Sequence, residues 1–416
     1  MEKHKKTYPV LFKLIMKKKF SLYGLPEKVE FCVRCSISNQ RPRSVVEFRN
    51  KDDQNKGIQL DENKICEACR YNDLKQKINW KEREVKLKRL LDKYRKKSGY
   101  DCIIPGSGGK DSAYAAHILK YKYNMNPLTV TWAPHLYTDI GFENFTNWVH
   151  VGGFDNILFT PNGRVHRILT KLAFQNLLHP FQPFIVGQKI IGPLIGLKFN
   201  IPLIFYGDSP AEYGGNPIVE NENPEMNYDF FSIKKRDEIF LSGTSLKNII
   251  KNYNFKINDF SPYIPPKKEE LKKINIQQRC LGYYLRWDPQ ECYYFASKHA
   301  GFKPNTERTE GSYSKYSSID DKIDPFHYYC TYIKFGIGRA TYDSCQEVRN
   351  KKIDRLEAIE LIKKYDSEFP KKYFKTFLEY INIDEKEFWK TVNNFRSPHL
   401  WALKNNKWKL RHKIYK

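Results

Sequence analysis

The stretch Gly106-Ser-Gly-Gly-Lys-Asp-Ser112 constrains this chain more than any other feature. A strand-like run, Tyr100-Asp-Cys-Ile-Ile-Pro105, precedes it, and a helix-like run, Ala113-Tyr-Ala-Ala-His-Ile-Leu-Lys120, follows. Glycines at a strand-to-helix junction let the backbone approach an anion. The first amides of the helix add unpaired donors and the positive end of its dipole. The segment reads as a phosphate cradle, with a plain glycine-rich turn as the alternative. It is not a Walker A loop: Ile104 stands where that pattern needs its first Gly, and Asp111 follows the Lys where it needs Ser or Thr.

Around this loop the sequence predicts an α/β fold. Leu128–Ala133, Asn156–Thr160 and Pro202–Gly207 read as further strands separated by helical stretches, which implies a parallel sheet with ligands at its carboxyl edge. Trp132 ends the second strand, where it either reads an adenine ring or fills the core. Asp208 and Glu212 lie in the turn after the last strand and hold either a metal ion or a substrate hydroxyl, or else cap the turn. In the loop, Ser107, Gly108, Gly109 and Ser112 offer donors to phosphate. Lys110 either neutralises phosphate or stays solvated, and Asp111 either ligates Mg²⁺ or serves as a first-turn acid. His179 reads as a core histidine.

Of the nine cysteines, Cys32-x-x-Cys35 and Cys66-x-x-Cys69 have the spacing of a zinc ribbon, with Arg43–Arg49 and Lys56–Asp61 as a hairpin between them. A closed four-thiolate site is structural. Residues 72–97 read as a charged helix. Beyond about residue 265 the strand–helix rhythm gives way to aromatic-rich helical patterns, so the expected division is 1–97, 98–265 and 266–416. The densest polar stretch of the last part contributes Asp320, Asp321, His327, Lys334 and Arg339, either as donors and acceptors for an anionic sugar nucleotide or as parts of a capped helical hairpin.

An apolar content of 40% makes the chain globular, and no apolar run reaches membrane-spanning length. The first twenty residues lack a cleavage site and do not read as a signal peptide, so a cytoplasmic protein is expected. The net charge of +25 is mostly lysine spread along the chain, a weak indicator of nucleic-acid binding.

Ser107-Gly-Gly-Lys-Asp-Ser112 resembles the signature of the PP-loop ATP pyrophosphatases, which cleave ATP between the α and β phosphates. Most of the chain resembles the N-acetyl sugar amidotransferases of surface-polysaccharide and flagellar-glycan biosynthesis. That likeness rests on the paired cysteines, the loop, Gly187-Gln-Lys, Gly207-Asp-Ser, the block from Ser318-Ile-Asp-Asp to Lys334-Phe-Gly-Ile-Gly-Arg-Ala340, and Asn394-Phe-Arg-Ser-Pro-His-Leu-Trp401. The resemblance implies a PP-loop sheet with helices on both faces, an N-terminal zinc ribbon and a helical C-terminal region. It also implies ATP, Mg²⁺ and structural Zn²⁺ as cofactors, and conversion of an acetamido group on a nucleotide-activated sugar to an acetamidino group. No cysteine sits in a glutaminase-like setting. Ammonia is therefore expected from partner subunits resembling the glutaminase and cyclase of imidazole glycerol phosphate synthase. The rival is a tRNA-modifying sulfurtransferase, which shares a zinc module and this loop. Several of those enzymes add a catalytic cysteine pair and a second Cys-x-x-Cys that this chain lacks.

Overall fold

The computed structural model describes residues 21–42, 57–214, 223–228, 231–232 and 239–415. The first twenty residues, read above as no signal peptide, and residues 43–56 of the expected hairpin lie outside them. The hairpin's base is present, as an antiparallel bridge between Pro42 and Gly57.

Five strands form one parallel sheet: β1 (Cys102–Pro105), β2 (Pro127–Trp132), β3 (Asp155–Phe159), β4 (Leu203–Tyr206) and β5 (Gln277–Cys280). Their order is β3-β2-β1-β4-β5. Four strands stand where the sequence predicts them. β5 does not: it pairs with β4 although it lies beyond residue 265, where the sequence loses its strand–helix rhythm. Its residues, Gln-Gln-Arg-Cys, carry no apolar run, because an edge strand needs to bury only part of its surface.

The strands' period of two divides the core. Ile103 and Ile204 join Leu128, Val130 and Trp132 in one apolar layer, while Cys102, Ile104, Leu203 and Phe205 enter the other. Helix α1 (Glu67–Lys75) follows the cysteine pairs, and helix α2 (Lys110–His117) packs on β1 and β4. Helix α3 (Gln182–Phe199) lies on β1, β2 and β4 as part of the other layer. Gly187 of α3 permits that approach, since a Cβ there would fall 2.2 Å from the Trp132 ring. On the α2 side, helix α4 (Pro289–His299) adds a further layer.

The predicted helix over 72–97 is two helices, α1 and Trp80–Tyr94, the second started by the Asn79 side chain, which accepts from the Glu82 amide. The C-terminal part is helical, including α5 (Asp324–Phe335) and α6 (Arg339–Arg349). It ends, however, in an antiparallel hairpin, Trp401–Lys404 with Lys407–Leu410. Asn405 and Asn406 turn that hairpin with positive φ at both positions. No helix among the described residues is long and apolar enough to cross a membrane.

Candidate functional site

Strand order reverses at β1, with β2 on one side and β4 on the other. A crevice opens at such a switch point beyond the carboxyl ends. The 106–112 loop occupies it. Gly108 has φ +83°, and a Cβ there would press within 2.7 Å of the Asn144 carbonyl, so this position requires glycine. Gly109 is the N-cap of α2 and no side chain caps the first amides, which leaves them free to bind an anion. Ser107 Oγ donates to Asp320 Oδ2 at 3.1 Å, while Ser112 Oγ donates to the Gly109 carbonyl at 3.0 Å.

Two cavities of about 410 and 350 Å³ meet at this loop. Lys110, Asp111, His327, Tyr328 and Arg339 line both; Ser107, Asp320, Asp321 and Asp324 line the smaller, and Lys334 and Arg41 the larger. The loop and the C-terminal polar stretch, read separately from the sequence, thus share one two-lobed cleft.

Within it, Lys110 Nζ pairs with Asp111 Oδ2 at 2.6 Å. Burial works against the ammonium, yet Asp111 beside it holds the Lys110 pKa above its ordinary value. Asp208 is pushed up by burial and by the neighbouring Asp111 charge. Asp111 lines both lobes beside the phosphate cradle and is a hard-oxygen donor of the kind that Mg²⁺ takes, whereas Asp208 lines neither lobe.

Other expected residues serve the frame. Glu212 Oε1 pairs with Lys75 Nζ at 2.6 Å, both side chains being fully enclosed, so it is committed to a brace. Asp321 accepts from the His135 and Ile323 amides at 2.7 and 2.9 Å and meets His135 Nδ1 at 2.8 Å, tying the segment after β2 to the turn before α5. Trp132 packs on Phe159 and Tyr263 in the core and lines neither lobe.

His327 stacks on His179 with ring centroids 4.8 Å apart, and burial drives the His327 pKa down to about 3, keeping the ring neutral at the lobe junction. Lys334 donates to the Leu177 carbonyl at 2.7 Å and falls to about 8 through burial. Arg339 binds Asp343 Oδ1 at 3.0 Å and the Tyr328 hydroxyl.

Asp324 and Tyr328 were not singled out from sequence. Both lie on the block that contributed His327, where the i, i+3 and i, i+4 spacing on one helix was the available signal. Burial pushes Asp324 up to about 7 against the opposing pull of Arg339. Because a free Asp titrates near ~3.9, the folded chain holds the extra proton between roughly pH 4 and 7, and stability falls as pH rises across that window. Asp324→Asn is expected to flatten this slope. Its thermal midpoint should exceed that of the parent at pH 8 and not at pH 4, as scanning fluorimetry at both values would show. Parallel slopes would remove Asp324 as the cause.

The four cysteine Sγ atoms lie within 4.8 Å of one another, with Cys32–Cys69 at 3.9 Å and Cys35–Cys66 at 3.6 Å. Zinc–sulfur bonds of about 2.3 Å in a tetrahedron place sulfurs about 3.8 Å apart, so the cluster could hold structural zinc. The Arg34 and Cys66 amides donate to Cys32 Sγ, as a thiolate requires.

The sheet, its switch point and this loop define an α/β protein with a glycine-lined crevice at the carboxyl edge of its parallel sheet. Comparison with known proteins narrows the class. Residues 310–415 match the family model described as LPS biosynthesis protein WbpG-like, C-terminal domain, which links this region to lipopolysaccharide biosynthesis proteins. All five C-terminal cleft residues expected from the sequence fall inside the match. A protein of Methanocaldococcus jannaschii described as uncharacterized is 37% identical over 101 residues, 24% of this chain. The chain spans about a third of that relative's length, 32%.

Proposed function

We propose that this chain is an ATP-dependent, AMP- and pyrophosphate-forming amidotransferase of the PP-loop type, which converts an acetamido group on a nucleotide-activated sugar to an acetamidino group. One observation carries the reading: the glycine loop and the region like lipopolysaccharide biosynthesis proteins line the same cleft.

An amide oxygen leaves poorly, so it first attacks the α-phosphorus of ATP; the α–β bond breaks and pyrophosphate departs. Ammonia then adds to the imidate carbon, the C–O bond breaks, and AMP carries the oxygen away. The free amides of the loop would hold the departing pyrophosphate, and Lys110 would balance its charge. Asp111 would hold Mg²⁺, which supplies charge neutralisation at the phosphates. His327, Tyr328 and Arg339, common to both lobes, would face the acceptor where the two substrates meet. Enclosure matters because water would only regenerate the amide. Ammonia would come from separate glutaminase- and cyclase-like subunits; vigorous turnover of glutamine by this chain alone would refute that part.

The deciding assay is AMP and pyrophosphate formation with Mg²⁺ and ammonium, against a panel of UDP-diacetamido sugars and unmodified tRNA. The expected result is sugar-dependent AMP with oxygen replaced by NH in the sugar, read by mass spectrometry. AMP release that depends on tRNA would overturn the proposal in favour of RNA modification.

A further inference from the structure

Asp111 is held by two donors of different kinds. Lys110 takes Oδ2, and the buried indole of Trp287 donates from Nε1 to Oδ1 at 3.0 Å. Trp287 is itself clamped: its backbone carbonyl accepts from Lys75 Nζ at 2.5 Å, and the same ammonium pairs with Glu212. The Glu212 carbonyl accepts from Arg349 Nη2 at 3.0 Å, and the Arg349 carbonyl accepts from Asn72 Nδ2 at 2.8 Å. Asn72 and Lys75 lie three residues apart on α1, the helix that contains Cys69.

We propose that Trp287 is a positioning residue for Asp111, set in place by the cysteine-bearing helix through Lys75. The inference rests on the reading above, in which Asp111 holds Mg²⁺. A neutral donor fixes the plane of a carboxylate without cancelling its charge, whereas a second cation would weaken its hold on a metal. Groups that orient a metal ligand from behind in this way commonly change affinity ten- to a hundred-fold when removed. The arrangement also gives a buried Lys–Glu pair a use beyond stability, which such pairs seldom provide by themselves.

The test follows the Trp287 indole N–H in protein labelled with ¹⁵N-tryptophan, the resonance being identified by its loss in Trp287→Phe. It is expected to move in Asp111→Asn, in Lys75→Met, and on addition of Mg²⁺ with ATP but much less with ATP in EDTA. In kinetics, Trp287→Phe should raise the Mg²⁺ concentration for half-maximal AMP release about ten-fold with the acceptor KM unchanged. A resonance indifferent to Asp111→Asn, or an unaltered Mg²⁺ dependence in folded Trp287→Phe, would overturn the proposal. Should the parent protein release no AMP with any acceptor, the functional reading fails alone. The response of the resonance to Asp111→Asn still decides whether Trp287 positions that side chain.

Discussion

Asp111→Asn is expected to lower AMP release at least about a hundred-fold while leaving the fold intact, a loss of the size seen when one preorganised electrostatic contact is removed. The side chain lines both lobes, and its charge is opposed by Lys110 and reinforced by Asp208. Asparagine keeps an oxygen for the Trp287 indole but presents an amide N–H₂ to Lys110, so the pairing with Lys110 and the metal-binding charge are both lost. The competing role, a first-turn acid favoured by the helix dipole, is worth only about 0.3–1 kcal/mol of stability and no activity. The two roles separate cleanly. Pyrophosphate release and thermal melting on the same preparation would show either collapse of turnover with an unchanged melt, or a small melt shift with turnover within about ten-fold of the parent. The second result would reduce Asp111 to a cap.

The sheet was legible because four of its strands are apolar runs bounded by glycine, proline or polar turns. β5 was hidden, since Gln277–Cys280 reads as polar and only its pairing with β4 makes it a strand. The terminal hairpin did carry a signal, the Asn405-Asn406 pair between Trp401–Lys404 and Lys407–Leu410, which the surrounding helical pattern masked. At the site, residues in contiguous motifs were found, whereas roles set by long-range contact were not. Glu212 looked like a ligand because it follows a strand at the ligand edge; nothing in its neighbourhood announces Lys75. Trp287 was invisible for the same reason, standing 176 residues from the carboxylate that it touches. Spacing reports chemistry that lies within one turn or loop, and folding adds what lies across the sheet.

Removing the metal from the cysteine cluster is expected to abolish activity at a site that contains none of the four cysteines. Structural zinc contributes on the order of 10–16 kcal/mol to the folding of small zinc units, comparable with the whole stability of a domain, so the unit around Cys32–Cys69 would come apart without it. Three contacts would go with it. Arg41 Nη1 donates to the Gly214 carbonyl at 2.7 Å, Cys345 Sγ donates to the Cys35 carbonyl, and Lys75 neutralises Glu212. Loss of Lys75 alone leaves a buried carboxylate unpaired, a change that costs about 3–5 kcal/mol at such sites. The larger lobe would also lose Arg41 and Pro42 from its wall. Cys69→Ser should therefore purify with little zinc, show increased proteolysis, and release little AMP. Cys102→Ser, at a buried cysteine of the sheet outside the cluster, is the control and should keep its zinc. Full activity in protein shown by metal analysis to be zinc-free would mean that the cluster only decorates the chain. Activity that falls in step with zinc content would instead make the cysteines part of the machinery by way of α1, since the path from Cys69 to Asp111 runs through Lys75 and Trp287.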